Sequence, residues 1–241
     1  MSYKIVLFDK DGTLLRFESV WVKIGHQIID KFIAHFQIEI PKSSLLEQLG
    51  LGEHHIDPSG ILSSGTTNDI IEVFSDYSDD PGLSEWTRQE MDMLAHKYED
   101  DLEMIEGTDV VLKHLKAQGY ILAVVTADDY VSTDNFLKKF DIRNYFDIIL
   151  TSDRTPVQKP DKMILQEIFE QFDVQPSEMI MVGDTPIDMQ LGKNAKLGLT
   201  IGVLSGTSKH EHLKDADIII QDVTDLIQDG NIIWEGGTSI A

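Results

Sequence analysis

Residues Lys4 to Leu15 form an apolar run, Ile-Val-Leu-Phe, that leads straight into Asp9, Lys10, Asp11, Gly12 and Thr13. An apolar, β-favouring run bounded by turn residues predicts a buried strand. Carboxylates at the end of such a strand are costly to bury unless something pairs with them. Asp9 and Asp11 therefore read as active-site residues, and the later chain must supply what they lack.

Two textures alternate beyond this stretch. Short apolar runs recur at Ile121–Val125, Asp147–Leu150, Met179–Val182, Leu199–Leu204 and Asp217–Ile220. Between them lie amphipathic stretches at Asp109–Gln118, Asp134–Phe140, Asp161–Phe172 and Ile187–Leu197. In the first of these, Val110, Val111, Leu112 and Leu115 are expected on one side, with Gly119 as the stop. Alternation of continuous apolar strands with helices predicts an α/β fold, a doubly wound parallel sheet covered on both faces. Ligands of such sheets bind at the carboxyl ends of the strands, which is where Asp9 and Asp11 fall.

The stretch from Arg16 to Glu106 breaks this pattern and shows no buried strand. Ser19–Phe36 has helical spacing, with Trp21, Ile24 and Ile28 reading as a core stripe. Leu45–Leu51, Asn68–Phe74 and Ser84–Leu102 are further helix candidates, punctuated by prolines and glycines. The expected organisation is a catalytic core of residues 1–15 and 107–241, with an α-helical cap inserted at 16–106. Glu235–Ala241 reads as a loose tail.

The formal net charge is −22, from 20 basic and 42 acidic residues. Such a field repels nucleic acid and anionic membranes. An anionic substrate would need local positive charge or a metal cation. There is no run of transmembrane length, no signal-peptide pattern and no cysteine, so a cytoplasmic protein without thiolate metal sites is expected.

Four segments stand at or just beyond predicted strand ends: Asp9 to Thr13, Val125-Thr126-Ala127, Lys159-Pro160, and Gly183 to Asp188. Asp9, Asp11, Asp184 and Asp188 could not all stay ionised in one cleft unaided, since two unit charges about 4 Å apart repel by roughly 4 kcal/mol at an effective dielectric near 20. A hard divalent cation with oxygen ligands solves this, and Mg²⁺ is the usual choice beside phosphate. Lys159 adds a second positive centre. Thr185 suits a helix N-cap and Pro186 the first helical position, which puts Asp188 in the first turn. Gly12 and Gly183 allow close approaches that a side chain would block.

These motifs resemble the haloacid dehalogenase superfamily, and phosphoglycolate phosphatase-like members in particular. Asp9, Asp11 and Thr13 match its Asp-x-Asp-x-Thr motif, Thr126 its strand-end Ser or Thr, and Lys159 its lysine. Gly183, Asp184 and Asp188 match its Gly-Asp-x-x-x-Asp motif. The resemblance implies a Rossmann-like core and Mg²⁺-dependent hydrolysis of a small phosphate monoester through an aspartyl-phosphate. Asp9 would be the nucleophile and Asp11 the acid and base, with Thr126, Ala127, Lys159 and Gly12 around the phosphoryl group. The metal set would be Asp9, Asp11 through its backbone carbonyl, Asp184, and Asp188 in support. Phosphoglycolate, a sugar phosphate, a nucleotide or pyrophosphate would be the substrate of a monomer or homodimer. The alternatives are a sugar-phosphate mutase or a regulatory binding protein of the same fold.

Two positions depart from the family pattern. Lys10 stands between the two aspartates, where apolar residues are frequent. Ala127-Asp128 follows Thr126, where many phosphoglycolate phosphatase-like relatives carry Asn-Lys. His54, His55, His210 and His212 read as surface histidines. Arg16, Lys23, His26 and the Gly50–Gly60 loop read as solvated polar residues and a connection, not as substrate contacts.

Overall fold

The computed structural model describes residues 3–17, 20–53 and 55–235. The chain enters on β1 (Ile5–Phe8) and runs through α1 (Trp21–Phe36), α2 (Lys42–Leu49), α3 (Ile61–Ser64), α4 (Thr67–Ser75) and α5 (Leu83–Lys97). It continues through α6 (Thr108–Ala117), β2 (Ile121–Val125), α7 (Tyr130–Lys139), β3 (Ile148–Leu150), α8 (Gln166–Gln171) and β4 (Met179–Gly183). Then come α9 (Pro186–Ala195), β5 (Leu199–Val203), β6 (Ile218–Ile220) and a small hairpin, β7 (Ile227–Gln228) with β8 (Asn231–Ile232).

Six strands form one parallel sheet in the order β3-β2-β1-β4-β5-β6. Both faces are dry, which is why the strand sequences are continuously apolar. Val6, Phe8, Val124 and Val182 pack on one face with Leu112, Leu115 and Phe136 of α6 and α7. Ile5, Leu7, Val125 and Met181 pack on the other with Ile168 and Leu191 of α8 and α9. The chain turns one way from β1 to β2 and β3, and the other way to β4, β5 and β6. That reversal opens a crevice at the carboxyl ends of β1 and β4.

The helices between β1 and α6 have their own core. Ile24, Ile28 and Phe32 of α1 meet Leu45, Phe74 and Leu94 from α2, α4 and α5, and the Phe32 and Phe74 rings stack 3.9 Å apart. The chain leaves the sheet and returns to it at adjacent points. Leu15 bridges Met104, Arg16 donates to the Glu103 carbonyl, and Ile105 donates to that of Leu14.

The structure departs from several sequence expectations. Val110 faces solvent, because α6 turns only Val111, Leu112 and Leu115 inward. Helix α7 starts at Tyr130, four residues before the expected Asp134, because the Asp129 carboxylate caps it through the Ser132 N–H. The Asp161–Phe172 stretch divides into a 3₁₀ turn at Lys162–Leu165 and α8. The Ser84–Leu102 candidate stops at Lys97 and is followed by a 3₁₀ turn. Glu235 is held by the Tyr120 hydroxyl, whereas Ser19, His54 and the rest of the expected tail lie outside the described residues. No described helix is long and apolar enough to cross a membrane.

Candidate active site

The site is assembled by strand ends. The Asp9 N–H donates to the Val182 carbonyl at 2.9 Å, extending the β1–β4 pairing by one bond and fixing Asp9 beside β4. Asp184 follows Gly183 at the end of β4 and is fully buried. Thr185 caps α9 with Pro186 in its first turn, as the sequence predicts. Asp188 reaches back so that its Oδ2 accepts from the Thr185 N–H at 3.0 Å and hydroxyl at 2.7 Å, a reciprocal capping box. Lys159 Nζ then joins the end of β1 to the first turn of α9, 2.6 Å from Asp9 Oδ1 and 2.7 Å from Asp188 Oδ1.

The buried charges do not balance. Burial raises the Asp9 carboxyl to about 7, with Lys159 opposing that rise and Asp188 adding to it. Asp184 is raised well above the ordinary range by burial and by Asp9 and Asp188, and the Thr207 N–H and the Lys159 charge oppose that rise without cancelling it. Burial acts to lower the Lys159 pKa, but Asp188 and Asp9 outweigh it and keep the ammonium charged. Three carboxylates thus share one cation.

The same residues suit a divalent metal. Asp9, Asp184 and Asp188 each offer an oxygen within 4.8 Å of the others. Asp184 Oδ1 is buried with no hydrogen-bond partner, an acceptor that should not stand orphaned in a native protein. Both Asp188 oxygens are already engaged, one by Lys159 and one by Thr185, so its arrangement favours orienting its neighbours. The backbone is shaped around these carboxylates. Gly12 has φ +85°, and a Cβ there would lie 2.5 Å from Asp184 Oδ2. A Cβ on Gly183 would lie 2.3 Å from Asp188 Cγ, so both glycines are required.

Asp11 stands apart from the triad. Its Oδ1 accepts from Trp21 Nε1 at 2.7 Å, and its Oδ2 lies 2.7 Å from Lys10 Nζ. Lys10 is itself buried and also lies 2.9 Å from Asp128 Oδ2. Burial raises the Asp11 carboxyl, Lys10 pulls it down, and Asp128 pushes it up again, so that the net direction is upward. A carboxyl raised in this way can carry a proton. Thr126 is buried at the end of β2, and its hydroxyl accepts from the Asp128 N–H at 3.1 Å. That leaves the hydroxyl proton for a ligand. Asp9, Asp11, Thr126, Ala127 and Lys159 line one cleft of about 560 Å³, including its open mouth.

Three contacts were not legible in the sequence. Trp21 fits the core stripe by its helical spacing, yet its indole also lines the cleft and holds Asp11. Thr207, from the loop after β5, gives its N–H to Asp184 Oδ2 at 3.0 Å. Its hydroxyl meets Ser63 Oγ of α3 at 2.9 Å, although these residues are far apart in the chain. Arg16, Lys23 and His26 do not line the cleft, and Lys23 turns to Asp101. His55 and His210 are exposed, while His212 accepts from the Lys209 N–H.

Comparison with known proteins gives one family. Residues 6–201 match the model of the haloacid dehalogenase-like hydrolases. The chain is 28% identical over 199 residues to a phosphoglycolate phosphatase of Nitrosospira multiformis, with 81% of each chain covered. It is 24% identical over 230 residues to the pyrophosphatase PpaX of Bacillus mycoides, covering 94% of this chain and 96% of that one. Among solved structures, CbbY of Rhodobacter sphaeroides in complex with phosphate superimposes with a TM-score of 0.71 at 18% identity, over 93% of this chain and 96% of that one.

Two predictions come from this geometry. Lys10→Met leaves two buried carboxylates without their cation and is expected to cost about 3–5 kcal/mol. Adding Asp128→Asn removes one of those carboxylates and should recover at least about 1 kcal/mol, read by urea denaturation as a double-mutant cycle. Strict additivity would mean that Lys10 and Asp128 do not interact. In chelator, stability should fall as pH rises from about 4 toward about 7. The Asp9 carboxyl is raised by burial, so the folded state binds more protons than the unfolded one across that window. Chemical denaturation at pH 5.0 and 7.5 in chelator checks the sign, and greater stability at pH 7.5 would contradict it.

Proposed function

The chain belongs to the haloacid dehalogenase-like hydrolases, and from that premise we propose that it is a Mg²⁺-dependent phosphatase acting on a small phosphate monoester. The observation that carries this is the ion-paired arrangement at the strand ends. Lys159 holds Asp9, while Asp11 stands on separate partners with a carboxyl disposed to be protonated.

The roles follow from the positions. Lys159 and the Thr126 hydroxyl receive the phosphoryl oxygens, with the backbone at Ala127 close by. Asp9 attacks phosphorus, the bond from phosphorus to the ester oxygen breaks, and Asp11 gives its proton to the departing oxygen. Water then attacks the aspartyl-phosphate, its proton passes to Asp11, and phosphate leaves with Asp9 restored. Mg²⁺, bound by Asp9, Asp184 and the Asp11 carbonyl with Asp188 in support, would supply positive charge to the phosphoryl oxygens. Residues 16–106 act as a cap over the cleft, keeping bulk water from the aspartyl-phosphate. Support for the cap comes from Trp21, Ser63 and Thr67 standing in the cleft wall.

Phosphate release from p-nitrophenyl phosphate tests the assignment. Asp9→Asn should lower turnover by about a thousandfold or more, with an unchanged circular dichroism spectrum. Near-wild-type turnover by that variant removes Asp9 as nucleophile. Excess chelator should silence the wild type and added Mg²⁺ restore it, whereas activity indifferent to chelator removes the metal.

A further inference from the structure

The cleft that holds Asp9 also contains the space for the leaving group, and its charge can be counted. Asp11 and Asp128 line it, and the ammonium between them belongs to Lys10, which is only 2% exposed. Lys159 is the only cation among the described lining residues, and it is committed to Asp9 and Asp188. The segment 16–106 contains six lysines and arginines in all. None lines this cleft: Lys23 pairs with Asp101, Lys31 with Glu90 and Lys42 with Asp30, while Arg88 binds Asn68 and Lys97 binds Gln27. Arg16 has partners of its own and also lies outside the lining.

The wall that faces the leaving group is otherwise apolar and hydroxylic. Trp21, Ile70 and Met91 supply apolar surface, and Thr67 supplies a hydroxyl with no side-chain hydrogen bond within the described protein. A helix N-terminus can receive an anion, and α4 begins at this wall. A carboxylate already stands at that N-terminus, because Asp69 Oδ2 accepts from the Thr66 N–H at 2.6 Å and hydroxyl at 2.7 Å. A second negative charge on the substrate would therefore sit beside the Asp128 carboxylate, whose partner Lys10 is buried beneath it, with no cation of its own.

We propose that this site takes the monophosphate esters of uncharged alcohols, and disfavours substrates whose leaving group is itself an anion. The assignment rests on the phosphatase reading above. It separates this chain from what the names of its relatives would suggest, since glycolate carries a carboxylate and pyrophosphate a second phosphoryl group. A neutral alcohol can place its carbon skeleton on the Trp21 and Met91 surface and a hydroxyl against Thr67. It leaves the Asp11–Lys10–Asp128 pairing intact.

The test is a comparison of kcat/KM with Mg²⁺ for glycerol phosphate and glucose 6-phosphate against phosphoglycolate and pyrophosphate. Glycerol phosphate and phosphoglycolate are close in size, so the ratio between them reads charge. It should favour glycerol phosphate by about tenfold or more, because like charges facing each other across a contact are costly. Thr67→Lys places an ammonium in this wall and should shift the ratio toward phosphoglycolate by about tenfold. Met91→Lys provides the same test from a second position. A wild type that prefers phosphoglycolate or pyrophosphate overturns the leaving-group assignment alone. A ratio unmoved by both lysines overturns the placement of the leaving group at this wall. No phosphate release from any of the four substrates or from p-nitrophenyl phosphate overturns the phosphatase reading, and the assignment with it.

Discussion

Three clustered carboxylates, two of them held by one ammonium, are the constraint on which this structure turns. Asp9, Asp184 and Asp188 come from a strand end, a strand end and a first helical turn, and Lys159 ties the first to the third. None of these positions is stable alone at such burial. The arrangement persists because the backbone leaves the side chains little choice. Asp9 is pinned to β4 through the Val182 carbonyl, Asp188 is held by the cap of α9, and glycines at 12 and 183 keep space for the carboxylates. Strand order does the rest, because the reversal between β1 and β4 brings the two acidic strand ends side by side.

The helices between β1 and α6 are not a separate body resting on this sheet. The Trp21 indole binds Asp11, and Ser63 binds Thr207, whose N–H binds Asp184. Two of the acidic groups of the site are therefore touched, directly or through one residue, by helices with an independent hydrophobic core. Movement of α1 relative to the sheet would change the hydrogen bonding of Asp11. Movement of α3 would change that of Thr207. The position of these helices and the arrangement of the acidic groups are thus physically linked.

Much of this was readable before any coordinates, and what was not has a physical reason. Strands buried on both faces announce themselves as unbroken apolar runs, and acidic residues at their ends announce a site. The capping pattern Thr185-Pro186 and the position of Asp188 follow from local rules that act over four residues. Val110 looks like part of the helical stripe because it adjoins one, yet one position is 100° of turn and leaves it in solvent. Helix α3 has only four residues and no periodicity to read. Helical spacing shows that Trp21 faces inward, not what its indole N–H reaches. Thr207 and Ser63 meet across the fold, and no local pattern foretells such a contact.

Lys10 and Asp128 show how two anomalies in a sequence can be one feature of a structure. Each is a departure from the family pattern when considered alone, and 118 positions of chain separate them. In the fold, β1 and β2 are neighbours, so the residues just beyond their ends face each other. A buried lysine at position 10 without Asp128 would have Asp11 as its only nearby anion. A carboxylate at position 128 without Lys10 would stand unpaired beside Asp11. Together they form a chain of alternating charge, Asp11–Lys10–Asp128, which stabilises an acidic group at the cleft wall. The ammonium that neutralises this corner lies beneath it, facing the two carboxylates and withdrawn from solvent. Its charge is spent within the protein, and the surface left to a ligand is acidic, apolar and hydroxylic. On the proposed reading, selection among substrates would depend less on the strand-end motifs than on this pair and the helices opposite it.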